Sequence, residues 1–91
     1  MGAIKARRFL ISGRVQGVGY RYFAERSAHA TGVTGWARNL DDGRVEVHAN
    51  GTESQLDDFE ARLRMGPQFA DVRSFESTEV PVLELSGFHI R

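Results

Sequence analysis

The 91-residue chain is long enough for one domain with a single modest hydrophobic core. Its 41% hydrophobic and 26% charged residues are typical of a globular protein and exclude a disordered or collagen-like chain. Twelve basic and twelve acidic residues cancel, so the large positive excess of a general nucleic-acid-binding protein is missing. The absence of cysteine excludes disulfides, thiolate metal sites and a cysteine nucleophile.

Composition and patterning also give expectations about location and assembly. No apolar run approaches the roughly 20 residues that a membrane-spanning helix needs, and residues 1–8 contain no apolar stretch of signal-peptide length. We therefore expect one domain over residues 1–91, in the cytoplasm, with no membrane or nucleic-acid partner. We also expect a monomer, because no long apolar surface stripe is left over.

The first part of the chain predicts a strand, a glycine-rich loop and a helix. Residues 8–12 form a short apolar run, long enough for a buried strand and too short for a helix. Residues 13–19 contain three glycines and predict a tight loop with unusual backbone dihedral angles. From Tyr20 onward apolar side chains recur at helical spacing, and Gly32 is expected to end the helix.

The middle of the chain predicts a β-hairpin. Residues 33–40 are expected to form a strand, and the Asp-Gly pair in residues 41–43 is a strong hairpin signal. In the return strand, apolar and polar residues alternate, which predicts one buried and one solvated face. The residues expected on the buried face are Val45, Val47 and Ala49, and those expected in solvent are Arg44, Glu46 and His48.

A second helix and further strands complete the pattern. Thr52 and Gln55 have the spacing of a capping box, and Gly66-Pro67 is expected to end the helix. Two extended stretches follow, at about 71–80 and 83–91. The order βαββαβ predicts an α+β, ferredoxin-like α/β sandwich, with two helices on one face of an antiparallel sheet of four or five strands.

The glycine-rich loop has the features of an anion-binding site. A loop that leads from a strand into a helix directs several main-chain N–H groups, and the positive end of the helix dipole, at one place. Arg21 adds a cation there, where a cation is unfavourable unless an anion is bound. Such turns are also common without a ligand, and this one lacks the spacing of a Walker loop or a dinucleotide fingerprint.

Several other residues have structural and functional interpretations that the residues alone leave open. Asn39 stands near the end of a predicted strand, where asparagine is disfavoured, or it belongs to the following turn, where it is favoured. The histidines lie on three different elements, which is a poor pattern for a metal site: His29, His48 and His89. An RNA-recognition module shares the predicted fold, but its aromatic signature is missing from residues 44–49.

Two segments resemble the signatures of a known family. Residues 11–21 read ISGRVQGVGYR and resemble the first signature of the acylphosphatases, a Val-Gln-Gly-Val core that ends in arginine. Residues 35–39 read GWARN and look like the second signature, and the separation of Arg21 from Asn39 also fits the family. Further matches stand at the family's expected offsets: Gly43, Val45 and Gly51. Tyr20 departs from the pattern, which usually has phenylalanine or methionine there.

The resemblance implies a ferredoxin-like fold and the hydrolysis of small acyl phosphates to a carboxylate and inorganic phosphate. It implies no metal and no cofactor, with inorganic phosphate as product and inhibitor. Arg21 would bind the phosphoryl group and Asn39 would hold the attacking water. Main-chain N–H groups would complete the phosphate site, from Gln16, Gly17, Val18, Gly19, Tyr20 and Arg21. The alternative is a non-catalytic domain of the same type that binds phosphate or carbamoyl phosphate.

Overall fold

The computed structural model describes residues 2–91 and contains five strands and two helices among them. Within this range no helix is long and apolar enough to cross a membrane. In chain order the elements are β1 (Lys5–Arg14), α1 (Tyr20–Thr31), β2 (Thr34–Asn39), β3 (Val45–Gly51), α2 (Glu53–Met65), β4 (Asp71–Val80) and β5 (Phe88–Ile90).

The strands form one sheet in the order β4-β1-β3-β2-β5, and the predicted ferredoxin-like α+β fold is confirmed. Four strands pair antiparallel, but β5 pairs parallel with β2, with Trp36 opposite His89. The expectation of an entirely antiparallel sheet is therefore wrong at this edge. The cause is the connection over residues 81–87, which lets the chain reach the far edge of the sheet in the direction of β2.

The hydrophobic core lies between the two helices and one face of the sheet. Every second residue of β1 and β3 points toward the helices, because side chains alternate along a strand. Phe9 lies edge-on to Phe59 of α2, and Phe59 in turn contacts Phe88 of β5. The largest fully buried side chains are Tyr20, Phe9, Phe59, Ile11, Leu56, Leu63, Val15, Val45 and Val47.

The second face of β3 is buried as well, which corrects the expected solvated face. Glu46 is only 4% exposed because Arg8 and Arg38 bind it from the two neighbouring strands, at 2.5 and 2.6 Å. Burial by itself would raise the pKa of Glu46, but the hydrogen bonds and positive charges of the two arginines outweigh it and lower the pKa. A polar residue of a central strand can thus be covered by its cross-strand neighbours.

His48, also expected in solvent, is buried on the same face. Its ring stacks on Trp36 at a centroid distance of 5.9 Å, and its Nε2 lies 2.9 Å from Oδ1 of Asn50. Asn50 also donates to the main-chain oxygen of Leu83, 2.6 Å away. The segment after β4 therefore folds back over this end of the sheet and excludes water from it.

The start and end of α2 follow the sequence prediction. Thr52 accepts a hydrogen bond from the N–H of Gln55, and the Gln55 side chain accepts one from the N–H of Thr52. At the other end, Pro67 has no N–H to offer the carbonyl oxygen of Leu63, four residues earlier. The hydroxyl of Tyr20 donates to that oxygen at 2.6 Å. The departure at Tyr20 thus supplies a donor that the helix end lacks.

Candidate active site

A cavity of about 190 Å³ brings the predicted site residues Arg21 and Asn39 together. Arg21 lies in the first turn of α1, and Asn39 is the last residue of β2. They are distant in sequence and meet because β2 returns beside the loop that precedes α1. The cavity is lined by Val15, Gly17, Gly19, Tyr20, Arg21, Tyr22, Asn39 and Ile90.

The glycine-rich loop presents an array of free main-chain donors. Among the described residues, no oxygen accepts a hydrogen bond from the main-chain N–H groups of residues 16–22; the first helical bond runs from Phe23 to Gly19. Gly17 and Gly19 have φ angles of 73° and 79°, in the left-handed region that favours glycine. A Cβ at either glycine would meet no atom within 4 Å, so the space in front of the loop is open.

Within the described part of the chain, residues 2–91, no protein group neutralises the positive N-terminal end of α1. Gly19 occupies the N-cap position, so no side chain accepts a bond from the first turn. The first turn contains no acidic residue, and it carries the cation Arg21. The helix dipole and the guanidinium therefore add their positive potentials at the cavity, which favours an anion there.

Arg21 is oriented by the segment after β5. Its Nη1 donates to the main-chain oxygen of Arg91 at 2.7 Å, and the N–H of Arg91 donates to the oxygen of Ala37 at 2.8 Å. A guanidinium has five N–H donors, so this bond leaves four for a ligand. The edge strand β5 thus fixes the direction of Arg21 relative to β2, which carries Asn39.

Two of the predicted phosphate-binding residues do not line the cavity. The side chain of Gln16 turns away and donates to the main-chain oxygens of Leu40 and Arg44, at 2.8 and 3.0 Å. Val18 is partly buried and packs against the hydrophobic core. Gln16 therefore links the loop to the β2–β3 turn directly after Asn39, so it holds the two halves of the site at a fixed separation.

Three further residues border the cavity that the sequence did not indicate: Val15, Tyr22 and Ile90. Val15 is fully buried and forms the inner wall, whereas the side chains of Tyr22 and Ile90 are exposed at the mouth. Tyr22 follows Arg21 directly on the first turn of α1, so the sequence could have indicated that it borders the site. The sequence could not have indicated Ile90, because this residue reaches the site only through the parallel pairing of β5 with β2.

The site offers little acid–base or metal chemistry of its own. None of the cavity-lining residues is a histidine or a carboxylate. Burial raises the pKa of Tyr20, whose hydroxyl is already bonded to Leu63. Over residues 2–91, no three His, Asp or Glu side chains converge as a metal site would require. The arrangement can bind an anion and orient a neutral molecule beside it.

The class of protein is an α+β sandwich with a glycine-rich loop of free main-chain donors between its first strand and first helix. Comparison with known proteins identifies the family within this class, because a sequence model of the acylphosphatase family matches residues 7–90. The chain is 52% identical over 87 residues to an acylphosphatase of Solibacter usitatus, covering 96% of this chain and 91% of the relative.

Solved structures agree with the sequence comparison. The crystal structure of acylphosphatase from Bacillus subtilis matches with a TM-score of 0.91 and 39% identity, over 98% of this chain and 99% of that one. The chain belongs to the acylphosphatase family, as its two signatures indicated, and it has acylphosphatase activity on small acyl phosphates. A likeness also extends to a part of full-length HypF in a phosphate- and nucleotide-bound form, with a TM-score of 0.89, 26% identity and coverage of 12% of that protein.

Proposed function

We propose that the protein hydrolyses acyl phosphates without a metal, by direct attack of a water molecule on a phosphoryl group held by the loop and Arg21. The observation that supports this most is that Arg21 and Asn39 border one cavity with Gly17, Gly19, Tyr20 and Tyr22, whose main-chain N–H groups have no acceptor among residues 2–91. The phosphoryl oxygens would accept hydrogen bonds from Arg21 and from N–H groups of the loop. The acyl group would leave through the mouth beside Tyr22 and Ile90.

Asn39 is proposed to hold the attacking water through its side-chain amide. The water oxygen forms a bond to phosphorus while the bond from phosphorus to the acyl oxygen breaks, and the carboxylate departs with that electron pair. Because phosphoryl transfer passes through a loose transition state, positioning and charge stabilisation supply most of the catalysis. The developing charge on the phosphoryl oxygens would be stabilised by Arg21 and the loop donors.

A phosphoryl oxygen of the substrate is proposed to accept the proton of the attacking water. The carboxylate is a good leaving group, so a strong general base is not required. The cavity lining contains no carboxylate or imidazole, which fits this assignment. The dependence of kcat/KM on pH tests it: an ionisation near neutrality that disappears on mutation of one side chain would contradict the assignment.

The activity itself is tested by hydrolysis of benzoyl phosphate in excess EDTA, followed by ultraviolet absorbance. We expect turnover that inorganic phosphate inhibits competitively, since the product and the substrate share the same loop. Turnover that EDTA abolishes and a divalent cation restores would refute the metal-independent mechanism.

Replacement of the water-holding residue separates its function from phosphate binding. In Asn39→Ala we expect kcat to fall by about 100-fold or more, because an unoriented water reacts from few productive positions. The inhibition constant of inorganic phosphate should change little, because Arg21 and the loop remain. If phosphate affinity fell as much as kcat, Asn39 would be a phosphate ligand instead.

The alternative to hydrolysis is phosphate or carbamoyl-phosphate binding without turnover. The likeness to one part of HypF, in a phosphate- and nucleotide-bound form, supports it, but the relatives that match over nearly their whole length are acylphosphatases. Phosphate binding by a folded protein that does not hydrolyse benzoyl phosphate would favour this candidate. The proposal also includes a single unit over residues 1–91, a monomer in the cytoplasm, which ultracentrifugation and cell fractionation can test.

A further inference from the structure

The arginines of this protein fall into two groups according to their partners. The chain has eleven, and six of them bind a side-chain carboxylate: Arg7, Arg8, Arg38, Arg44, Arg64 and Arg73. Over residues 2–91 the remaining five have no such partner: Arg14, Arg21, Arg26, Arg62 and Arg91. Arg21 lines the cavity described above, and Arg91 lies over the ring of Trp36. Two of the others share a second cavity.

This second cavity, the interhelix groove, has a volume of about 350 Å³. It lies between α1 and α2, is distinct from the loop cavity, and is lined by Phe23, Arg26, Ser27, His29, Ala30 and Arg62. Arg26 and Arg62 approach it from different helices. No acidic side chain lines it, so neither cation has a counter-charge in the groove.

An acidic residue stands at suitable spacing on α2 but does not pair with Arg62, and α1 has none three or four residues from Arg26. Asp58 is four residues before Arg62, a spacing that commonly forms an ion pair on a helix. It borders another cavity instead, beside Thr52 and Asp57. Arg26 lies in the middle of α1, so the helix dipole, which attracts cations to the last turn, does not explain its place.

Ser27 gives an independent indication of a ligand. The residue is only 3% exposed, it lines the groove, and its hydroxyl bonds to no other residue from 2 to 91. Buried hydroxyls generally have a partner. No fully enclosed polar side-chain atom of the described residues lacks one, so this hydroxyl opens onto the groove. Arg26 lies over the ring of Tyr22, 5.7 Å from its centroid, but neither Arg26 nor Arg62 has a carboxylate partner among residues 2–91. The groove therefore combines a free hydroxyl, two guanidinium groups without a carboxylate partner and an imidazole.

We propose that the interhelix groove is a second anion-binding site, which takes an organic phosphate. Arg26 and Arg62 would bind the phosphate oxygens, since the planar guanidinium matches them. Ser27 would donate to the same group, and an apolar or aromatic body would lie on Phe23 and Ala30. This site is independent of the catalytic proposal, because it shares no lining residue with the loop cavity.

The chain contains a matched control for the two arginines. Arg64 and Arg73 also line one shallow cavity together, but each binds a carboxylate, Glu60 and Asp71 respectively. Two double variants therefore remove the same charge from two different surfaces: Arg26→Gln/Arg62→Gln and Arg64→Gln/Arg73→Gln. Only the first is predicted to bind the organic phosphate more weakly. Circular dichroism and thermal unfolding establish that both variants are folded.

The experiment is a titration of the isotope-labelled full chain with phenyl phosphate, followed by nuclear magnetic resonance. The guanidinium Nε–H signals of Arg26 and Arg62 report the groove, and the amides of residues 16–22 report the loop. We expect both sets to shift in a saturable manner with separate affinities. In Arg26→Gln/Arg62→Gln, groove affinity, read from the amides of residues 23–30, should fall by about 10-fold or more, while the loop titrates as before.

Three results would overturn the proposal. The first is a titration that moves only the loop amides, which would leave the groove cations simply solvated. The second is an equal loss in Arg64→Gln/Arg73→Gln, which would reduce the effect to overall charge. The third concerns Ser27→Ala, which keeps every charge: unchanged groove affinity would show that no built site exists. If the amides of residues 16–22 did not shift with phenyl phosphate, that result would count against the catalytic proposal and not against the groove.

Discussion

The two helices of this protein begin in opposite ways. The N-terminus of α2 is neutralised within the chain, because Thr52 and Gln55 exchange hydrogen bonds with its first turn and Glu53 provides a negative charge. The N-terminus of α1 has a left-handed glycine at its cap, no acidic residue and the cation Arg21. Both helices belong to the same sandwich, so the fold does not require the difference.

On the proposed function, the difference separates a helix start that stabilises the fold from one that receives a ligand. A neutralised end contributes to the free energy of unfolding and has little left to offer an anion. An end with free N–H groups and an added cation gains its full stabilisation only when an anion is bound. Four substitutions test this contrast, in order of expected effect.

Arg21→Lys alters the open helix start most. The charge is retained, but lysine cannot present the planar fork that binds two phosphate oxygens or reach Arg91 in the same way. We expect turnover of benzoyl phosphate to fall by about 100-fold or more, with weaker inhibition by phosphate. The control Arg73→Lys, at an exposed surface pair, should turn over normally. Full activity in Arg21→Lys would mean that charge alone suffices.

Tyr20→Phe removes the hydroxyl that links the start of α1 to the end of α2. The carbonyl oxygen of Leu63 would be left unpaired in a buried place, at a cost of about 1–3 kcal/mol in the free energy of unfolding. Urea denaturation measures this loss. The control is Tyr22→Phe, which should leave the free energy of unfolding nearly unchanged, because Tyr22 is 58% exposed and its hydroxyl bonds to no described residue. Equal effects in the two variants would contradict the role assigned to Tyr20.

Gly19→Ala and Gly43→Ala separate backbone strain from anion binding. Both glycines have positive φ angles and open space where a Cβ would stand, so each alanine should cost about 1–2 kcal/mol of stability. Only Gly19 lies in the glycine-rich loop that is proposed to bind the phosphoryl group. We therefore expect turnover to fall by roughly 10-fold or more in Gly19→Ala, because its loop donors shift. A similar loss in Gly43→Ala would attribute the effect to stability.

Thr52→Ala alters the neutralised helix start and should have the smallest effect. Loss of the cap is expected to lower the free energy of unfolding by about 1 kcal/mol, with turnover unchanged. Ser54→Ala, an exposed position in the same turn, is the control and should leave both unchanged. A fall in turnover in Thr52→Ala would show that the two helix starts are coupled.

The order of the elements and the position of the glycine-rich loop could be predicted from the amino-acid sequence. Local patterns carried these predictions: the capping box at Thr52, the glycines before Tyr20 and the apolar run of β1 each specify a conformation over a few residues. The two signatures identified the family, whereas the roles that they indicate for Arg21 and Asn39 stay predictions. The fold and family could be predicted from local patterns. Such predictions succeed because the interactions that decide them lie within one or two turns of the chain.

What covers each surface depends on tertiary contacts. Glu46 and His48 alternate as solvent-facing residues should, yet Arg8, Arg38 and Trp36 cover them from neighbouring strands. The orientation of the Arg21 guanidinium likewise depends on the parallel pairing of β5 with β2. These contacts join segments that are far apart in sequence, so no local pattern encodes them. They form only when the strands pair, and that pairing brings the loop and Asn39 to one cavity.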